Sequence, residues 1–168
     1  MIYAFDTYYY SDKAKTVGIG FERWDADDCA GIWEDWRAVP DEYVSGAFYK
    51  RELPCLLQLL ARIQPTDQDI VVVDGFVVLD DAGKPGLGGR LFESLDASVP
   101  VIGVAKSNFA GLNLLKREVL RGDSARPLYI TAIGIGLDLA ADHIRQMKGA
   151  YRIPDLLKKL DQLTRTNG

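Results

Sequence analysis

The chain is poor in soft metal ligands: two cysteines, two methionines and one histidine in 168 residues. Cys29 and Cys55 belong to no CxxC pair and show no metal-ligand spacing, which excludes a zinc-ribbon reading. Two unpaired thiols predict a reducing, cytoplasmic setting. No apolar run approaches the ~20 residues that a membrane span needs. The opening MIYAFDTYYY carries an acid and lacks a basic flank, so it does not read as a secretory signal. Internal repeats and low-complexity stretches are also missing.

What is present suits a soluble globular protein. Apolar residues make up 48% and charged residues 26%. The length predicts a single domain over residues 1–168 with one ordinary core. Twenty basic and 24 acidic residues leave a net charge of −4, which argues against a protein that merely coats nucleic acid. The charge is uneven. Residues 22–42 hold eight acids and two bases, residues 106–126 five bases and two acids, and residues 145–165 six bases and two acids. The later basic stretches can meet a polyanion while the acidic ribbon faces elsewhere; ordinary solvated surface accounts for them equally well.

Residues 1–10 read as a strand, Lys15–Arg23 as a second and Ile32–Val39 as a third, joined by short turns that favour antiparallel pairing. Leu53, Leu56, Leu57, Leu60 and Ile63 lie on one helical face. Pro54 predicts that this helix begins beside it, since proline suits a first turn and not an interior. Ile70–Val73 has the continuous apolar character of a strand buried on both faces. A short helix over Leu91–Leu95, a strand over Pro100–Ala105, a possible helical excursion within 107–126 and a strand over Pro127–Ile133 follow. Helices over Leu137–Lys148 and Pro154–Leu163 complete the order. These elements make an α/β protein with a mixed β-sheet, three antiparallel N-terminal strands and flanking helices.

Three acids stand out against this pattern. Asp6 interrupts an apolar strand, Glu52 is expected just before the first helix, and Asp74 ends the IVVV strand. A carboxylate in or at the end of a core strand is costly unless something compensates it. Ligands collect at the carboxyl ends of strands in such sheets. Three converging oxygens suit Mg²⁺ or Mn²⁺. Each acid also has an ordinary reading: outward-facing, at a helix N-terminus, and in an Asp-Gly turn. On these residues alone both readings stay open.

Flanking motifs add a second signal. Tyr43-Val44-Ser45-Gly46 followed by Arg51-Glu52-Leu53-Pro54, then Val73-Asp74-Gly75, then Pro100–Ser107 (PVIGVAKS), fall in an order and spacing that resemble the endonuclease V family. The strand at Pro127–Gly134 and the closing helix at Arg152–Leu163 are similar to that family's as well. The resemblance implies a ribonuclease H-like fold and a Mg²⁺-dependent (or Mn²⁺-dependent) endonuclease. Such an enzyme hydrolyses a phosphodiester 3′ to a deaminated purine, inosine, in DNA or RNA. It further implies Asp6, Glu52 and Asp74 as metal ligands, Lys106 at the scissile phosphate, Tyr43–Gly46 as a wedge for the gap left by an extruded base, and close backbone approach to the ligand at Gly75 and Gly103.

The chain departs from the family at three places. The basic, histidine-containing loop after V-D-G is replaced by Leu79–Pro85, where Lys84 is the sole base and the acids Asp80 and Asp81 are expected either to add negative charge near the metal or to repel a phosphate. Ile133-Gly134-Ile135 lacks the histidine of V-G-H, and Ser45 replaces the wedge proline. His143 lies inside a helix away from any motif and reads as surface or core-edge. Asp138, at the start of the same helix, is the expected substitute for the lost ligand. Three functions follow as expectations: the nuclease, working as a monomer on a nucleic-acid substrate; a nucleic-acid-binding relative that has lost catalysis; and a small-molecule or protein-interaction module on the same fold.

Overall fold

The computed structural model describes residues 1–39 and 48–166. Four helices flank one seven-stranded sheet. In chain order the elements are β1 (Ile2–Tyr9), β2 (Lys13–Phe21), β3 (Gly31–Ala38), α1 (Phe48–Ile63), β4 (Ile70–Asp74), α2 (Leu87–Ser94), β5 (Val101–Ala105), β6 (Arg117–Val119), β7 (Leu128–Ile133), α3 (Leu137–Gln146) and α4 (Asp155–Thr164). The strand order is β3-β2-β1-β4-β5-β7-β6. β1, β2 and β3 pair antiparallel, as the short turns predict. β4 and β5 add in parallel beside β1, whereas β7 and β6 return antiparallel.

Strand alternation distributes the core over both faces. On β4, Val71 and Val73 pack with Leu56, Leu59 and Leu60 of α1 and Leu87 and Leu91 of α2. Val72 points the other way, into a cluster with Ile144 of α3 and Leu156 and Leu160 of α4. That double burial explains why β4 reads as an uninterrupted apolar run.

Two expectations about local structure are corrected. α1 begins at Phe48, so Pro54 lies inside it rather than in its first turn. The buried face of Leu56, Leu59 and Leu60 sustains the helix across the lost backbone donor. Glu52 is therefore inside the helix and buried, not ahead of it. Within 107–126 the described backbone has no helix; it forms the short edge strand β6. α2 also starts earlier than expected, at Leu87.

Two buried cations fasten the helices. Lys15 on β2 donates its Nζ to the carbonyls of Leu163 (2.9 Å) and Thr166 (2.8 Å), at the end of α4. The Tyr10 hydroxyl donates to Thr164 O at 3.1 Å. Arg121 reaches Ile144 O (3.2 Å) and Arg145 O (3.1 Å) with one nitrogen and Gly149 O (3.2 Å) with the other, closing the end of α3. In both cases a cation meets carbonyls at a helix C-terminus, where the helix dipole favours positive charge.

Candidate functional site

β1 outruns its parallel partner. Its pairing with β4 ends at Phe5↔Val73, so Asp6 is the first β1 residue beyond it. With β1, β4 and β5 in parallel, the alternation that points Ala4, Val72 and Val104 toward α4 also points Asp6, Asp74 and Lys106 there. Asp74 keeps access to solvent at its strand end while protein crowds it from behind. These three residues line a narrow cavity of about 40 Å³ whose far wall is Ile153, Pro154, Leu157, Leu160 and Asp161 of α4 and the loop before it. Glu52 comes from α1, which packs on the opposite face, and meets the other acids across the end of the sheet.

The acids act strongly on one another. Burial and then the Asp74 charge raise the Asp6 carboxyl to about 7, against a smaller opposing pull from the Thr7 amide, 2.9 Å from Oδ1. Burial, Asp6 and Asp74 raise Glu52 to about 8, with Arg51 partly offsetting them. Burial also raises Asp74, which is held back by the Lys106 charge and pushed further up by Asp161. Like charges gathered without a partner mark functional sites more often than structural ones.

Oxygen-only donors of this kind suit a hard divalent cation. The set is not closed: among the described residues no three acid, histidine or cysteine side chains stand together as a ready-made metal cage.

Asp138 does not enter this group. Its carboxylate accepts a hydrogen bond from Arg117 Nε at 2.6 Å, and its side chain is 82% exposed. The acid that faces Asp6 and Asp74 is Asp161, which raises the pKa of both and lines the cavity with them. It pairs with Arg165 at 3.2 Å. The sequence reading overlooked Asp161, although it follows Leu157 by four residues and so flanks the apolar stripe of its helix.

The remaining sequence candidates fall as follows. Gly75 adopts φ +130°, with open space where a Cβ would be, so its glycine serves the turn after Asp74. At Gly103 the space is filled by the chain itself. A Cβ there would come within 2.5 Å of Gly75 O and 2.6 Å of Thr131 Oγ1, so this glycine admits neighbouring backbone and not a ligand. Tyr43 and Gly46, with the rest of the expected wedge, lie outside the described residues. Asp81 is committed elsewhere: its Oδ1 accepts the amides of Asn113 (2.9 Å), Leu114 (2.7 Å) and Leu115 (3.3 Å). Asp80 accepts the amides of Ala82 and Lys84 within its own turn. His143 stacks on Trp24 with centroids 4.7 Å apart, and its half-buried ring sits at the core edge. No described helix is long and apolar enough to cross a membrane.

Comparison with known proteins bears on the family and the fold. Residues 32–162 match the family model described as Endonuclease V. An endonuclease V of Streptomyces coelicolor is 29% identical over 178 residues, covering 93% of this chain and 74% of the relative. The curated relatives are matched over 60% to 74% of their own length. The crystal structure of an endonuclease V from Streptomyces avermitilis superposes with a TM-score of 0.79 at 24% identity, covering 98% of this chain and 79% of that one. Ciona intestinalis endonuclease V, in complex with a DNA containing an inosine followed by a ribo-adenosine, gives 0.79 at 17% identity, covering 98% and 84%. The fold is thus the ribonuclease H-like one of those structures. With a family model matched across most of its length, this chain belongs to the endonuclease V family.

Proposed function

We propose that this protein is a divalent-metal-dependent endonuclease that hydrolyses a phosphodiester 3′ to a deaminated purine in DNA or RNA. The observation that carries the proposal is the gathering of Asp6, Glu52 and Asp74, each with a raised pKa, with Lys106 beside them. Family membership and a relative held on inosine-containing DNA support the substrate class.

Asp6, Glu52 and Asp74, joined by Asp161, would hold Mg²⁺ or Mn²⁺. When bound, the cation supplies charge neutralisation at the phosphate and lowers the pKa of water. Lys106, exposed one residue past β5, presents an ammonium that offsets charge developing on the phosphate oxygens. The apolar wall of Leu157 and Leu160 keeps one side of the acids dry, which strengthens every charge interaction there. Asp6 and Asp74, both shifted toward the protonated form, must give up their protons before they can bind a cation.

The test is cleavage of inosine-containing oligonucleotides, as DNA and as RNA, with Mg²⁺ or Mn²⁺. Wild type should cut and Asp74→Asn should not. Absence of any metal-dependent cut on inosine, uracil, mismatched or single-stranded substrates overturns the proposal. A second reading, a nucleic-acid-binding relative without turnover, draws support from the histidine missing at Ile133-Gly134-Ile135 and from the unclosed set of acids. Salt-dependent binding without cleavage would select it.

A further inference from the structure

Lys106 sits where the sheet stops supporting the chain. The last register pair of β5 with β7 is Ala105↔Tyr129. The backbone of Lys106 lies just past it and leads into the exposed stretch 107–111. A lysine has four side-chain torsions, so its ammonium is only as well placed as the peptide that carries it.

One side chain from a distant part of the sequence grips that peptide. Arg152 donates the same terminal nitrogen to Lys106 O at 2.5 Å and to Pro127 O at 2.8 Å. Pro127 immediately precedes β7, so the guanidinium spans the open ends of two adjacent strands. Arg152 also stands two residues before Pro154, which caps α4, the helix that carries Asp161. Ile153 and Pro154 line the same cavity as Asp6, Asp74, Lys106 and Asp161. The segment holding Arg152 is itself tied down, by Arg121 on Gly149 O and by the Asp155 amide on Lys148 O at 2.9 Å.

We propose that Arg152 is the positioning residue of Lys106, a clamp that holds the lysine-bearing strand end against the loop that launches the Asp161 helix. The inference rests on the nuclease reading for its consequence and on the two hydrogen bonds for its geometry. A permanently charged, planar donor is suited to bridging two carbonyls at fixed angles. Losing it frees the Lys106 peptide to rotate without removing the ammonium.

The experiment is a double-mutant cycle in the full chain, read with an inosine-containing oligonucleotide at saturating Mn²⁺. Arg152→Ala should lower kcat about tenfold to a hundredfold, the scale of a misplaced catalytic group, with KM within about twofold. Arg152→Lys, whose ammonium can still reach the carbonyls, should recover much of the loss. In a Lys106→Ala background Arg152→Ala should cost nothing further. Amide hydrogen exchange across residues 105–108 should accelerate in Arg152→Ala and stay unchanged in β1–β3.

Additive losses in the Lys106→Ala background would overturn the proposal. So would a KM effect with kcat intact, or exchange at 105–108 equal to wild type. Should Arg152→Ala not fold, Arg152→Met, which keeps the apolar stem and removes the donors, takes its place in the same cycle and the same exchange measurement. If wild type cuts nothing, the nuclease reading falls, and exchange at 105–108 alone then upholds or rejects the clamp.

Discussion

Buried charge is treated in opposite ways in two parts of this molecule. Lys15 and Arg121, both nearly inaccessible to water, donate to carbonyls at the ends of α4 and α3. Each braces a helix end: the Lys15 ammonium meets two carbonyls and the Glu34 carboxylate, and the terminal nitrogens of Arg121 meet carbonyls. Asp6, Glu52 and Asp74 are crowded by protein, and their proton affinities rise first through that desolvation and then through neighbouring acids: Asp74 for Asp6, Asp6 and Asp74 for Glu52, and Asp161 for Asp74. The cations contribute to folding. The acids oppose it, and sequences keep such local conflicts chiefly where function needs them.

The sharpest way to break this comparison is Glu52→Gln, which keeps shape and removes the charge. It should abolish metal-dependent cleavage, a loss of about 10²–10³-fold or more on the scale of removing transition-state stabilisation. It should also raise the melting temperature in EDTA at pH 8. A variant that loses both activity and stability would make Glu52 a structural residue.

The acids also set a pH dependence. Asp6 moves from an ordinary 3.8 to about 7 and Glu52 from 4.5 to about 8. Between those limits the native state holds more protons than the unfolded chain, so stability without metal should fall as pH rises from about 4 to about 8. A divalent cation favours the ionised forms, so Mg²⁺ should raise the melting temperature more at pH 8.5 than at pH 5.5. Each kcal/mol corresponds to about 2–4 °C in a chain of this size. Melting curves with Mg²⁺ and with EDTA at both pH values test this; an equal Mg²⁺ effect at the two would contradict it.

Arg121→Met probes the other region. It removes the charged donor from the carbonyls of Arg145 and Gly149 and should cost about 1–3 kcal/mol, read by urea unfolding, with cleavage falling less than in Arg152→Ala. The smallest effect is expected at Asp138→Asn. It breaks an exposed ion pair worth under about 1 kcal/mol and should leave cleavage untouched, whereas Asp161→Asn should impair it. The reverse result would return Asp138 to the site in place of Asp161.

Sequence patterns reached most of the elements because burial leaves a period in the chain. The three N-terminal strands, the doubly buried β4 and the apolar stripes of α3 and α4 were all visible in this way. Pro54 misled because a local rule about proline was overridden by packing along the face of α1. β6 left no signal, being three residues long at a sheet edge. Asp138 attracted attention by its place at a helix start, which describes one helix and not what lies across from it. Asp161 was passed over because a single acid on the flank of an amphipathic helix looks like any solvated residue.

By itself, then, the order of residues determined which segments are strands and helices and which acids are out of place in them. Periodicity and the cost of burying charge are written locally, and collinear motifs carry the family. Only the tertiary structure decided that residues 6, 74 and 161 face one cavity with the charges of the first two acting on residue 52, that residue 138 turns to Arg117, and that Arg152 holds the peptide of Lys106. Convergence depends on how parallel strands align their ends and how a helix crosses them, and these long-range distances are not encoded at any one position in the chain.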